Sequence, residues 1–290
     1  MPTYKEFNSK LVRLRNTRKM TRTMKMIAVT RMRRAQNLRQ RADVYAANLD
    51  RIIARMARLG GATLSQGLVR PAPAGAARIR VILISSDRGL CGGFNAGLFR
   101  FLLHWMDARH ATPDRCSLTC LGRRGALYFR NRDWPLQVDE MNTSQPEYSA
   151  VQRVGMAFQS DFLADRCDAV YIAYNRLSGT MRNEPCVCQL LPFENDVPAL
   201  SATDNVDECI VEPGPREILA EILPQVINFR LYLALLTSAA GEHAARMMAM
   251  DGASRNADEM IDQTTMLRNR ARQSAITREL MEIIAGAEAL

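Results

Sequence analysis

The chain has 290 residues, enough for one large domain or two ordinary ones with a substantial apolar core. With 47% hydrophobic and 24% charged residues it is neither disordered nor fibrous in composition, and it shows no uninterrupted apolar run of the roughly 18–20 residues that spans a bilayer. The net charge of +9 is lopsided: residues 1–60 hold 16 Lys and Arg against Glu6, Asp43 and Asp50, a net +13, while the remainder carries −4. That N-terminal segment must face something acidic or water.

Met1–Leu14 carries Lys5, Lys10 and Arg13 without a continuous apolar stretch, so it reads as a mature, cytosolic N-terminus. No proline interrupts Thr3–Leu59. From Ala35 a heptad runs through Leu38, Ala42, Tyr45, Leu49, Ile52, Met56 and Leu59, which predicts a coiled-coil seam. Upstream the same register meets Thr17, Thr21 and Arg31, so the seam weakens. At 1.5 Å rise per residue the helix would be roughly 85 Å long, which calls for a partner helix.

Gly60–Gly75 reads as a linker. Beyond it, Arg78–Ser85 reads as a buried strand, followed by a glycine-rich turn and a helix over Asn95–Arg109. Cys116–Leu121 is a second strand, Glu147–Arg166 a helix, and Asp168–Asn175 and Pro185–Leu191 further strands. Alternating strands and helices predict a central α/β (Rossmann-like) domain with a mostly parallel sheet. Glu217–Ala287 reads as a long helix with a kink at Pro224. Its small residues Gly241, Ala245, Ala249, Ala253 and Ala257 recur every four positions, a ridge that lets a neighbouring helix approach closely. The expected architecture is α/β with a long antiparallel coiled coil made from the two chain ends: residues 1–60, a central domain at 76–200, and 213–290 packing on 1–60. The C-terminal helix, being longer, would extend past its partner.

Ser86–Asn95, after a strand and before a helix, resembles a phosphate cradle, but it fits neither GxGxxG nor GxxxxGK[ST] and has no following lysine. A tight strand-to-helix turn is the better reading. Cys91 as a nucleophile would need a paired histidine, and the three histidines are His104, His110 and His243. The seven scattered cysteines suggest reduced thiols; Cys116 and Cys120 lack zinc-like spacing, and Cys186 and Cys188 share a strand face without being well placed to bond each other. Methionines 24, 26, 32, 247, 248 and 250 read as gap-filling core and sliding contacts. The basic helix lacks aromatic interleaving and spreads its charge around its surface, favouring an acidic protein partner over nucleic acid. No cofactor or metal site is expected, and no assembled active site.

Three segments in order resemble the gamma subunit of bacterial F-type ATP synthases. Asn16–Ala28 (NTRKMTRTMKMIA) is similar to one family motif and Ser86–Asn95 (SDRGLCGGFN) to a second. Glu242–Met250 with Asn256 and Asn269–Leu280 are similar to the terminal signature, with Gly241, Val29 and Thr30 as departures. The resemblance implies a non-catalytic central rotor shaft coupling ion flow through a membrane ring of c subunits to ATP synthesis or hydrolysis elsewhere. The implied partners are three alpha and three beta subunits, epsilon and the c ring. By it, Met24, Lys25, Arg272, Gln273, Thr277 and Glu279 contact beta subunits, and Cys209, Ile210, Val211 and Glu212 contact the c ring and epsilon. It also implies a peripheral place on the cytoplasmic side of the bacterial inner membrane. The rival readings are a coiled-coil adaptor for nucleic acid or an acidic surface, and a cysteine hydrolase.

Overall fold

A computed structural model describes residues 4–60, 67–69, 78–139, 141–179, 181–193 and 211–288. The chain forms two compact units: Met1–Val29 with Arg246–Leu290, and Thr30–Ala245. Helix α1 (Tyr4–Gly60) and helix α5 (Pro215–Glu288) each contribute to both.

The larger unit is built on a five-stranded sheet, counted among the described residues, in the order β3-β2-β1-β4-β5. The strands are β1 (Ile79–Ile84), β2 (Cys116–Leu121), β3 (Leu136–Asp139), β4 (Ala169–Ser178) and β5 (Arg182–Leu191). All neighbours pair in parallel except β4 with β5. Central β1 is apolar at every position from Val81 to Ile84 because both of its faces are covered. On one face Val81, Leu83, Leu118, Cys120 and Tyr171 pack with α2 (Phe94–Ala108) and α3 (Arg123–Phe129). On the other, Ile82, Ile84, Val170 and Ile172 join α4 (Tyr148–Leu163), the end of α1 and the first half of α5. Buried Gln159 of α4 donates to Oδ1 of Asn228 on α5 (2.8 Å), and Gly155 makes room for that amide: a Cβ there would collide with it.

The expected strands and helices are all present with boundaries shifted by a few residues, and α3 and β3 are additional. Helix α5 runs through Pro224. It also holds one 18-residue window apolar enough, by length and composition, to cross a bilayer. Leu219, Leu223, Val226, Ile227, Leu231 and Leu235 of this helix are buried in the core cluster of the larger unit, so the apolar character is that of a helix face turned into a core, and every residue of Ala234–Ala244 beyond is buried as well.

The heptad seam is corrected by half. Ala35, Ala42, Leu49 and Met56 are buried at 8% exposure or less, but Leu38, Tyr45, Ile52 and Leu59 are 40–49% exposed. The second buried row lies four residues on, not three: Ile53 follows Leu49 at 1% exposure, and Ala46 is half-buried after Ala42. Tyr45 nonetheless meets the edge of Phe229 on α5 at 4.7 Å. The small-residue ridge is likewise partly displaced. Gly241 and Ala257 are buried, while Ala245, Ala249 and Ala253 are half-buried. In the smaller unit the buried row of α5 is Met250, Ser254, Ala257, Ile261 and Thr264, a heptad of alternating fours and threes.

The corrected register gives a direct test by urea unfolding of the whole chain. Ile53→Ala should cost about 2–5 kcal/mol, and Leu38→Ala should stay within about 1 kcal/mol of the parent. Equal losses would restore the simple heptad.

Candidate functional site

The glycine-rich turn after β1 is held by its own side chains. Ser85 Oγ accepts from the Gly125 amide at 2.8 Å, and the left-handed Gly122 (φ +100°) lets the end of β2 approach Ser85 so closely that a Cβ would collide with its carbonyl. The Ser86 amide donates to Asn95 Oδ1 (3.1 Å), and Asn95 Nδ2 donates back to Ser86 Oγ (2.7 Å) and to Cys91 Sγ (3.4 Å). Ser86 Oγ donates to the Arg88 carbonyl at 2.8 Å. Asp87 accepts from the amides of Arg123 (3.2 Å) and Thr143 (3.1 Å). The Ser86 amide and hydroxyl, which a phosphate at this turn would use, are thus engaged internally, and an aspartate stands beside them.

In open α/β sheets ligands bind at the carboxyl ends of the strands where the order reverses, here between β1 and β4. That crevice is filled. Asn175 on β4 donates to the Phe94 carbonyl (3.0 Å), and Asn183 on β5 donates to the carbonyl of Gly241 on α5 (3.1 Å). Gly241 sits so close that a Cβ would touch both Asn183 and the Phe94 ring. Next to it, Ser144 Oγ donates to the buried Glu242 carboxylate (3.1 Å), and buried His243 meets the Ser144 carbonyl at 3.4 Å. What remains open by the turn is a shallow cleft of about 430 Å³ lined by Leu90, Cys91, Phe99, Arg124, Leu127 and Tyr128 among others. Cys91 is buried there, while His104 and His110 are exposed. Among the described residues the Cys91 thiol bonds with Ser86, Asn95 and the Arg88 carbonyl, none of which is a base for the hydrolase reading. Burial pushes the Cys116 thiol up to about 11 and the Cys120 thiol up to about 12, as befits inert core residues.

The smaller unit is a two-helix pair cemented by polar groups. Thr21 and Ser254 share a buried hydroxyl–hydroxyl bond of 2.7 Å. Lys25 Nζ pairs with Asp251 at 2.6 Å, Arg18 with Asp258 at 2.7 Å, and Arg22 with the other Asp258 oxygen at 3.1 Å. The hydrogen bond from Lys25 holds the Asp251 carboxyl below its ordinary range, and that from Arg18 does the same for Asp258. Lys25 therefore already has a carboxylate on its own chain, and Met24 beside it is half-buried.

These pairs run antiparallel, so Tyr4, where α1 begins, falls opposite the turn around Arg272. From Arg272 to Ile284 every side chain whose burial is described is exposed, Ile276, Leu280, Met281, Ile283 and Ile284 included. Of the expected contact residues, Gln273 and Thr277 line one open groove with Arg270, Ser274, Arg278 and Met281. Arg272 and Glu279 lie outside it. Thr277 Oγ1 donates to the Gln273 carbonyl at 2.9 Å. Arg270, Ser274 and Arg278, which share this groove, are not among the expected residues, and a helical wheel centred on Gln273 brings them to the same face. Of the expected foot, Val211 packs against the core cluster of the larger unit and Glu212 is exposed, whereas Cys209 and Ile210 lie outside the described residues.

The chain matches the family described as ATP synthase over residues 3–290. It is 35% identical to the ATP synthase gamma chain of Anaeromyxobacter dehalogenans (strain 2CP-C) and 36% to that of Trichlorobacter lovleyi, covering all of this chain and 100% and 99% of theirs. The chain belongs to the ATP synthase gamma-chain family. Its fold is that of a Euglena gracilis mitochondrial ATP synthase chain (TM-score 0.67, 14% identity, 99% of this chain and 94% of that one). A central-stalk chain of the Tetrahymena thermophila mitochondrial enzyme is also similar (TM-score 0.59, 18% identity, 81% and 99%). Within this family the plugged crevice of the α/β unit stands beside a helical surface that is exposed, among the described residues, from Arg272 to Ile284.

The helix-pair carboxylates give a pH dependence with a definite sign. Their depressed values add stability above the ordinary carboxylate value of 3.8, and it is lost as pH falls through the depressed ones. Thermal unfolding of the whole chain from about pH 5 to about pH 3 should show a larger loss for the parent than for Asp251→Asn with Asp258→Asn. Parallel losses would mean the pairs contribute nothing measurable.

Proposed function

We propose that this chain is the gamma subunit, the central rotor shaft, of an F-type ATP synthase, and that its α/β unit is a structural body without catalysis of its own. The observation that carries this is the full-length relationship to ATP synthase gamma chains. Catalysis then belongs to the beta subunits. The chain couples rotation of the membrane c ring to them as a peripheral member of a membrane-associated complex, on the cytoplasmic side of the inner membrane. Its partners in this reading are alpha, beta, epsilon and the c ring. The helix pair of the two chain ends, with the exposed stretch beyond Arg272, enters the ring of alpha and beta subunits.

Arg272, Gln273, Thr277 and Glu279 are the proposed beta contacts on α5, and Met24 and Lys25 those on α1. Lys25 holds Asp251 with one of its three donors, which leaves two for a carboxylate on beta. Val211 and Glu212, with Cys209 and Ile210, are the proposed contacts to the c ring and epsilon.

The exposed polar groups around Gln273 supply the test. In a free helix alanine there changes stability by only about ±0.5 kcal/mol. Charge-assisted bonds to beta formed at one rotational angle contribute roughly 1.5–3 kcal/mol each. Arg272→Ala with Gln273→Ala should therefore leave thermal unfolding of the isolated chain unchanged and lower the steady-state ATPase turnover of the reconstituted complex. Unchanged turnover in a fully assembled complex would remove these residues from the contact.

A further inference from the structure

Strand β5 forms one edge of the described sheet, and along it Cys186 and Cys188 stand on the same face, half-buried. Across the β4–β5 ladder, Tyr174 lies opposite Cys186 and Arg176 lies opposite Glu184. The Arg176 guanidinium donates to Cys188 Sγ at 3.7 Å, and the Cys186 thiol donates to the Tyr174 carbonyl at 3.5 Å. The cation thus stabilises negative charge on Cys188, while Cys186, whose S–H is given to the Tyr174 carbonyl, retains its proton. The remaining described cysteines, Cys91, Cys116, Cys120 and Cys167, are buried.

We propose that Cys188 is a thiol-modification site that takes small disulfides, with Arg176 as its positioning residue and Cys186 as the neighbour that keeps a proton. The Cys188 thiolate attacks one sulfur of the small disulfide; the Cys188–S bond forms as the S–S bond breaks. The departing thiolate takes up the proton that Cys188 released. The exchange should stop at the mixed disulfide. Residues two apart on a strand are separated by about 6.6 Å of rise, and their parallel Cβ atoms stand well beyond the roughly 3.5–4.5 Å that an internal disulfide requires. Closing Cys186 onto Cys188 would require β5 to leave its ladder with β4. Arg176 stands at the Cys188 sulfur and not at that of Cys186, so the two differ in reactivity despite similar exposure.

The experiment treats the native full chain with dithiobis(nitrobenzoate), follows release of the coloured thiolate and maps the product by mass under non-reducing conditions. Cys188 should carry the mixed disulfide before Cys186 and before the buried cysteines. Arg176→Gln should slow the reaction several-fold and Arg176→Lys should restore it, with thermal unfolding unchanged in both. Labelling of Cys186 at an equal rate, an internal Cys186–Cys188 disulfide as the main product, or indifference to Arg176 would each overturn the proposal.

Discussion

The stretch Ala234–Ala244 of α5 has no exposed side, so this part of the helix has to lie inside the larger unit with protein all round it. Each buried Leu there is favoured by roughly 1.5–3 kcal/mol over exposure. Burying the Glu242 carboxylate works against that, and the Ser144 hydroxyl offsets part of the cost. The apolar term wins. One consequence is that Gly241 reaches Phe94 and Asn183 at the carboxyl ends of the strands, the place where an α/β sheet would otherwise take a ligand. The architecture of an enzyme is present and its crevice is occupied by the protein's own helix.

The smaller unit is held by a different kind of contact. Its buried row mixes Met250, Ala257 and Ile261 with Ser254 and Thr264, and a hydroxyl pair and three ion pairs span the two helices. The ion pairs are open to solvent, which screens them, so this pair relies on register more than on adhesion. A polar layer such as Thr21–Ser254 is satisfied in one alignment only, which fixes which residues of α5 stand free beyond the start of α1.

The sequence made the α/β alternation legible because central β1 is apolar on both faces from Val81 to Ile84 and runs into a glycine-rich turn. It made the long helices legible through the absence of proline from Thr3 to Leu59. The seam on α1 was only half readable. A seven-residue repeat leaves open whether the second row lies three or four positions on, and the larger side chains of Leu38, Tyr45 and Ile52 pointed to the wrong one. The elements α3 and β3, seven and four residues long, are too short to carry a period. The ties from Asp87 to Thr143 and from Lys25 to Asp251 join residues far apart in the chain, and local pattern carries no sign of them. The proposed contact patch around Gln273 rests on resemblance alone, since an exposed polar helix face looks the same with or without a partner.

The central claim is that this chain is the single shaft of a ring of alpha and beta subunits. Native mass measurement of the complex formed when the chain is co-expressed with those subunits tests it most directly. The account predicts one copy of the chain per three alpha and three beta subunits, with ATPase activity in that complex and none in the chain alone. A chain that stays apart from alpha and beta, or that hydrolyses ATP by itself, would contradict it.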